Sequence, residues 1–563
     1  MAVHGIDLGT TNSAVARIAP DGSPVVLAGM SGEPTTPSVV LFASRDEYVV
    51  GEGARREARL DPEHVCALVK RRMGDAAWRF VAHGKAWSAP AVSSLILSSL
   101  VADARFADGE EPTSAVITVP AYFGDEERRA TVQAGVYAGL DVVDVLSEPI
   151  AAALSYGFGR LDGSVGMSGV GMRKADGETV LVYDLGGGTF DVAVIELADR
   201  RISVLAVEGD HQLGGADWDE RLALHLSRRF AEAAPGAEDP LDDSAGAQAL
   251  VLAAERAKHE LSDADRTDVV VAHDGARVTV PVTRAELTEL TAPLLRRTID
   301  LTRSCLAEAA RRGVDRVDRV LLVGGSSRMP SVAEALRAEL GLEPLLHDPD
   351  LAVARGAALY GEKKELERMV AADLRTRGRL RDGDPVEDAP SADLDDACRR
   401  VADAFSVPLA QVRRAVEIRV DTVVSRGFGV LAVSDAGRLE PSWLVHRNDR
   451  LPVRTSRSFG TVRADQSVVA LTVVEQQGQA ESQRTQDVKI LIQGEITGIP
   501  PGHDEGSEIR VTFEMGFDGV LHVTAFHVDA AMPLELTATT GATLSQAEVA
   551  RERDQLGRAR RRG

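Results

Sequence analysis

Two short stretches of this chain repeat one pattern, and that repetition restricts the folds open to it more than any other feature. Gly5-Ile6-Asp7-Leu8-Gly9-Thr10-Thr11-Asn12 lies at the N-terminus and Asp184-Leu185-Gly186-Gly187-Gly188-Thr189-Phe190-Asp191 in mid-chain. Each carries an apolar β-like run, an Asp, a Gly/Thr turn and a second β-like run, Ala14 to Ile18 in one copy and Val192 to Ile195 in the other. Glycines let backbone N–H groups approach phosphate oxygens, threonine hydroxyls add donors, and the Asp can hold a hydrated Mg²⁺. One such turn could be an ordinary hairpin. Two, with the Asp in the same place, suggest duplicated lobes facing one nucleotide, as in an ATPase cleft.

The bulk properties agree with a cytoplasmic machine of several domains. A chain of 563 residues is long enough for two to four domains, each with its own core. The net charge of -22 argues against a nucleic-acid or anionic-membrane surface. Cys66, Cys305 and Cys398 are widely spaced with no CxxC pair, and read as reduced packing residues. A β-like run begins at once, without the basic and apolar leader of a secreted chain, and no apolar stretch is long enough to span a bilayer. The basic end, Arg558 to Arg562, reads as a solvated tail.

Residues 1–363 alternate β-like and helical patterns, as a mixed α/β domain does. Val116 to Val119 is a strand-like run stopped by Pro120, and Asp125 opens an amphipathic helix through Ala138. Val142 to Leu146 is a further strand, and Ala247 to Leu261 is helical. Val320 to Val323 runs into Gly324-Gly325-Ser326-Ser327-Arg328 and a helix near Ser331. A Gly-Gly turn between strand and helix lets the backbone lie close to a flat ligand, with free N–H groups at the helix start.

Taken in order, these stretches resemble the ATPase domain of the 70-kilodalton heat-shock protein family, the DnaK-type chaperones, which has the actin-like duplicated fold. Besides the two turns, the resemblance rests on Ala115 to Phe123, Glu148-Pro149-Ile150-Ala151-Ala152-Ala153, Leu213-Gly214-Gly215, Glu255 to Ser262, Leu322-Val323-Gly324-Gly325 and Asp348-Pro349-Asp350. Sugar kinases and actin-like filament proteins share the phosphate turns but not this series. The resemblance implies ATP/ADP and Mg²⁺ as ligands and assigns roles by position. Gly9, Thr10, Thr11 and Asn12 would hold the phosphates from one lobe, and Gly186, Gly187, Gly188 and Thr189 from the other. Asp7 and Asp184 would anchor Mg²⁺, mainly through water. Lys70 would sit beside the γ-phosphate, and Glu148, assisted by Thr189, would orient or deprotonate the attacking water. Adenosine would lie between Glu255, Lys258 and Ser262 on one side and Gly325, Ser326 and Arg328 on the other, with Gly214, Gly215, Gly324, Ser327 and Asp350 completing the site.

Bland alternatives stay open for several of these residues. Lys70 is followed by Arg71 and Arg72 and could be a solvated charge; Glu148 could cap the helix that begins near Pro149. His259 could stack on the adenine or be a neutral surface histidine.

Residues 364–419 form a charged, Ala-rich insert broken by Gly378, Gly383, Pro385 and Pro390, with short amphipathic helices from Asp393 to Phe405 and Leu409 to Val416. Its composition favours a flexible spacer over a docking element. Residues 420–541 read as an antiparallel β-sandwich: Val468 to Val474, Val488 to Ile492 and Ile509 to Phe513 are strand patterns, and Gly516-Phe517-Asp518-Gly519 is a hairpin turn. This part resembles the family's peptide-binding domain through Asn448 to Pro452, Asp465-Gln466-Ser467 and Asp518 to Val523. Such a domain binds extended client polypeptides by strand-like hydrogen bonds. The resemblance would place Phe428, Phe459, Val462 and Val469 around the groove, although each could equally be a core residue.

Three departures from the family qualify what the resemblance implies. The lid is reduced to residues 542–563, one short helix with a capping box on Ser545 and Glu548 and a basic tail, so bound peptide should leave quickly. The apolar interdomain linker corresponds to Val416-Glu417-Ile418-Arg419, whose two charges would be costly to bury, so interdomain coupling should be weak. Asp144 replaces an Arg that usually receives a J-domain partner, which makes a J-domain co-chaperone doubtful; Arg128, tied to interdomain signalling, is present, and the resemblance leaves room for a nucleotide-exchange factor. The expected function is that of an ATP-hydrolysing chaperone for unfolded client polypeptides, with no nucleic-acid or membrane partner. The alternative is a nucleotide-gated scaffold for one dedicated partner.

Overall fold

The structure, a computed structural model, describes the chain except residues 1–2, 158–176, 199, 383, 435, 479, 517–518, 520, 541–545 and 563. The N-terminal part contains two sheets built to the same plan. In the first, Val3–Asp7, Asn12–Ile18 and Pro24–Val26 form an antiparallel meander. Ser114–Val119 lies parallel to Val3–Asp7, and Asp141–Ser147 parallel to Ser114–Val119. In the second, Glu178–Leu185, Phe190–Ala198 and Arg201–Asp210 repeat the meander, and Arg319–Val323 and Pro344–Leu346 repeat the parallel pair. The central strands read as unbroken apolar runs because both faces are covered: Val180, Leu181, Val182 and Tyr183 are all fully buried.

Two helices cross where the lobes meet, Glu148–Gly157 and Ala352–Thr376. Their crossing leaves no room for a side chain at Gly356, where a Cβ would lie 1.7 Å from the carbonyl oxygen of Ala151. Gly5 meets the same long helix, with its Cβ position 2.0 Å from the backbone nitrogen of Ala358. These contacts set the distance between the lobes, and so the width of the cleft.

The C-terminal part is an antiparallel sandwich of eight strands in the order Leu439–Val445, Phe428–Val433, Val469–Gln476, Val488–Thr497, Met532–Thr540, Leu521–His527, Glu508–Met515 and Val453–Gly460. Met532–Thr540 bridges its two halves around a core that includes Phe428, Val473, Ile509 and Phe513. The expected hairpin is present, with Met515 opposite Leu521, while the middle of its turn lies outside the described residues. So does Ser545 of the expected capping box.

Three expectations are corrected. The boundary drawn at residue 363 falls inside the continuous helix Ala352–Thr376, and the insert is packed rather than spacer-like. Its helices Ser391–Phe405 and Leu409–Glu417 share one core with that helix, including Val370, Leu374, Val401 and Val412. Apolar residues at helical spacing outweigh the Gly and Pro between them. Secondly, the linker charges are not buried. Arg419–Asp421 joins the second N-terminal sheet as a parallel edge strand on Arg201–Ser203, with Glu417 paired to Arg200 and Asp421 to Arg201 at the surface. Thirdly, the arginine tail is not free. The helix Gln546–Arg558 leads into Arg560–Arg561, which pairs parallel with Glu47–Tyr48 of the first lobe, and Leu556 and Ala559 pack on that lobe's core.

The sandwich is docked on the N-terminal part through a buried charge cluster. Arg426 bonds Glu475 at 3.1 Å and Glu127 at 3.4 Å, and it shares the ring of Tyr122 with Arg447. Lys489 pairs with Glu126, and Asn448 accepts the Val207 amide at 3.0 Å.

Substituting Gly356→Val should force the crossing helices apart. We expect a loss of about 1–3 kcal/mol or more in urea unfolding, with weaker nucleotide binding by the folded fraction.

Candidate functional site

The two Gly/Thr turns face each other across the cleft. A Cβ on Gly187 would lie 2.1 Å from Thr11 Oγ1, and one on Gly188 would lie 2.2 Å from Thr10 Cγ2. The backbones therefore approach as closely as glycine allows. Thr10 Oγ1 is buried without a hydrogen-bond partner in the protein, a donor suited to a ligand oxygen. The second turn is closed by the Gly186 amide donating to the Thr189 carbonyl at 3.0 Å, and Gly214 packs against Gly188. Asn12 is exposed at the first turn, and Gly9 is half-buried beside it.

Arg71, in sequence only a charge next to Lys70, fixes the second turn from the opposite lobe. Its Nε donates to the Gly188 carbonyl at 2.8 Å, and its two terminal nitrogens grip Asp217 at 3.2 and 2.6 Å. Asp217 in turn accepts the Gly214 amide at 2.7 Å.

The floor of the cleft gathers several carboxyl groups around one ammonium. Lys70 is buried and ion-paired with buried Glu148, which excludes its reading as a solvated charge. Asp184 and Asp191 are also buried, and Asp7 is half-buried, accepting the Thr118 hydroxyl at 2.9 Å. Burial, and then the nearby charge of Glu148, pushes Asp7 up to about 7 and raises Asp184 and Asp191 well above the ordinary carboxylate range. Asp191 accepts the Tyr122 amide at 3.1 Å. Among the described residues no cluster of three His, Cys, Asp or Glu side chains is arranged to ligate a metal directly. The excess of carboxylate over ammonium fits a hydrated divalent cation held by Asp7 and Asp184.

On the side expected to take adenosine, the charged groups are committed to one another. Lys258 is buried, and its ammonium bonds Asp219 and the Gly215 carbonyl at 2.8 and 3.0 Å. Glu255 pairs with Arg55 across the cleft, and Ser262 donates to the Lys258 carbonyl at 3.2 Å. Gly325 lies beside Asp350, which pairs with Arg328. Ser326 packs on Gly215, and Ser327 Oγ donates to the Val323 carbonyl at 2.6 Å. Gly324 takes a positive φ of 79° and lies against Asp184. His259 is exposed.

Of the four groove residues, Phe428 is 3% exposed in the sandwich core, and Phe459 and Val469 pack against that core. Val462 is 65% exposed and stands outside it. Phe428 also lines a cavity of about 270 Å³ between the sandwich, the linker and Asp144. Asp144 itself accepts the Tyr360 hydroxyl at 3.0 Å and pairs with Lys364 at 3.3 Å.

The family model described as Hsp70 protein matches residues 3–369 and 431–560. The chain belongs to the Hsp70 family. Its actin-like α/β ATPase part and antiparallel sandwich are those of a nucleotide-binding chaperone family of ATPase type, whose members bind ATP or ADP with Mg²⁺, client polypeptides and co-chaperones. The insert helices and the linker strand fall between the two matched segments. Among the described residues no helix is long and apolar enough to cross a membrane.

Asp7 should make ligand-free stability depend on pH. Its folded pKa of about 7 lies above the unfolded 3.8, so its contribution is full below pH 3.8 and is lost as pH rises through 7. The ligand-free Tm should fall between about pH 4 and 7 and level off above, Asp7→Asn should flatten that slope, and Mg²⁺ with nucleotide should reverse it; differential scanning calorimetry reads all three.

Proposed function

We propose that this Hsp70 protein hydrolyses ATP in the cleft and binds extended apolar segments of client polypeptides on its β-domain. The observation that carries the reading is the Lys70–Glu148 pair beneath two facing Gly/Thr turns. The turns offer backbone and hydroxyl donors to the β- and γ-phosphates, and Arg71 keeps the second turn in place from the opposite lobe. Lys70 neutralises charge at the transferred phosphoryl group, while Glu148 orients the attacking water and accepts its proton, with Thr189 assisting. Mg²⁺ held by Asp7 and Asp184 supplies further neutralisation of phosphate charge. Phosphoryl transfer needs positioning and charge compensation more than covalent help, so this set suffices.

Peptide affinity comes from main-chain bonding to the sandwich, with Phe459, Val462 and Val469 on the groove side and Phe428 beneath. Asp144 reverses the charge of the Arg that usually receives a J-domain partner and is engaged with Tyr360 and Lys364, which leaves it poorly disposed to that contact. A nucleotide-exchange factor is compatible with the Arg55–Glu255 pair that bridges the cleft. The scaffold reading is favoured by one observation: the packed insert lies outside the matched family segments and offers a surface for a dedicated partner.

Single-turnover hydrolysis with Lys70→Ala tests the ATPase. We expect a loss of about a hundredfold or more; unchanged turnover would remove the reading. A panel of apolar peptides separates the two functions, since broad micromolar binding supports the chaperone and none supports the scaffold.

A further inference from the structure

Two loops cross between the halves of the sandwich. Residues 461–468 join Val453–Gly460 to Val469–Gln476, and residues 498–507 join Val488–Thr497 to Glu508–Met515. The loops lie side by side and are tied together. The Thr461 amide donates to the Ser507 carbonyl at 3.0 Å, and the Gly506 amide to the Thr461 carbonyl at 2.8 Å. The Asp465 amide donates to the His503 carbonyl at 3.1 Å, and the Gly502 amide to the Asp465 carboxylate at 2.6 Å. The Gln466 side chain braces the first loop from within, accepting the Val462 amide at 2.9 Å and donating to the Val468 carbonyl at 3.0 Å.

Two histidines sit where the loops meet, with ring centroids 5.9 Å apart, and their bonds call for opposite protonation states. His503 Nδ1 faces the Asp504 carbonyl and its Nε2 the Gln466 carbonyl, each at 3.1 Å. A carbonyl oxygen only accepts, so both ring nitrogens must donate, and only the imidazolium carries two N–H groups. His527 is arranged the other way. Its Nδ1 accepts the Ala530 amide at 3.1 Å, which leaves the ring one proton, on Nε2, for Ser507 Oγ at 3.2 Å; Ser507 donates in turn to Asp529 at 2.7 Å. The charged groups facing His503 are the carboxylates of Asp465, Asp504 and Asp529. The bond to the Asp504 carbonyl, more than any other contact, lifts the His503 pKa above its ordinary 6.5.

We propose that His503 is a pH-sensitive latch: as the imidazolium it fastens loop 498–507 to loop 461–468, and its deprotonation loosens the latter at the rim of the peptide groove. Loop 461–468 carries Val462, and it joins the strand of Phe459 to the strand of Val469. Fastened loops hold the proton more tightly than loose ones. The latch is therefore at full strength below the ordinary value of 6.5 and weakens as pH rises through the raised one. Neutral His503 keeps only one of its two bonds and leaves the other carbonyl to water. His527 does not duplicate the latch, because its Nδ1 is already an acceptor for Ala530. The consequence for bound peptide, faster departure at higher pH, rests on the reading of the β-domain given above; the latch itself does not.

Hydrogen exchange of the full chain between about pH 6 and 8, corrected for the intrinsic pH dependence of exchange, reads the loop directly. We expect the amides of Val462 and Asp465 to lose protection by about threefold or more over that range, in step with the His503 ring signal in histidine-selective NMR. His503→Gln donates without titrating and should remove the pH dependence. His503→Arg stays charged and should keep the loop protected at the upper end of the range. Loop protection that is flat with pH in the parent chain, or an unchanged pH dependence in His503→Gln, would overturn the latch. Dissociation of a labelled apolar peptide is the second arm, and its rate should rise with pH by a similar factor in the parent chain and stay level in His503→Gln. A loop that loosens with pH in a chain that binds no peptide would uphold the latch and remove the peptide-binding reading instead.

Discussion

The cleft floor concentrates carboxylates around a single ammonium, and much of the architecture serves to hold that imbalance in place. Asp184, Asp191 and Glu148 are buried, Asp7 is half-buried, and Lys70 is already paired with Glu148. Removing charged carboxyls from water is unfavourable, which is why the pKa values of Asp7, Asp184 and Asp191 rise. Neither lobe could hold the group alone. Asp7 ends a strand of the first sheet, and Asp184 sits near the end of its counterpart in the second. The crossing of Glu148–Gly157 and Ala352–Thr376, without side chains between them at Gly356, brings the two strand ends together. A divalent cation between Asp7 and Asp184 would relieve an electrostatic cost that burial of these carboxyl groups imposes.

The domain interface meets a related problem with a different outcome. Glu127 and Glu475 are also buried, and burial raises Glu475 to about 7 although Arg426 opposes the shift. Arg426 lies between both carboxylates and over the face of Tyr122, with Lys489 close by. The compensating charge comes from the chain itself, so this cluster holds domains together where the cleft cluster awaits a ligand. Removing one member would leave the others buried and unpaired, a cost of about 3–5 kcal/mol in comparable sites.

The duplicated lobes are legible in sequence because each turn concentrates its information in a few adjacent residues. Asp7 with Thr10 and Thr11, and Asp184 with Gly187 and Gly188, each announce one half of a site whose halves then have only to be brought together. Arg71 and Asp217 are not legible, because their role exists only once residues far apart in sequence meet at Gly188 and Gly214. Asp191 closes the second turn motif, yet its burial beside Tyr122 depends on a loop from the other lobe. The resemblance sets Lys258 against adenosine; that its ammonium also bonds Asp219 and Gly215 is not legible, since those partners meet it only in the fold.

The linker shows why composition misleads where a strand joins an edge. Two charges in place of apolar residues suggest that docking would bury them, an inference that holds for a strand inserted between neighbours. An edge strand is paired on one side only, and its backbone bonds form whatever its outward side chains are. Glu417, Arg419 and Asp421 stay at or near the surface, with Arg200 and Arg201 supplying opposite charge for Glu417 and Asp421. The arginine tail follows the same rule on the first lobe: its residues are basic, and what docks them is the open edge of Glu47–Tyr48. Charge sets how readily such a segment is solvated when free, while the vacant edge and the helix leading into it decide where it binds. In this chain both edges are filled from within, and Arg419–Asp421 and Arg560–Arg561 become the outermost strands of their sheets.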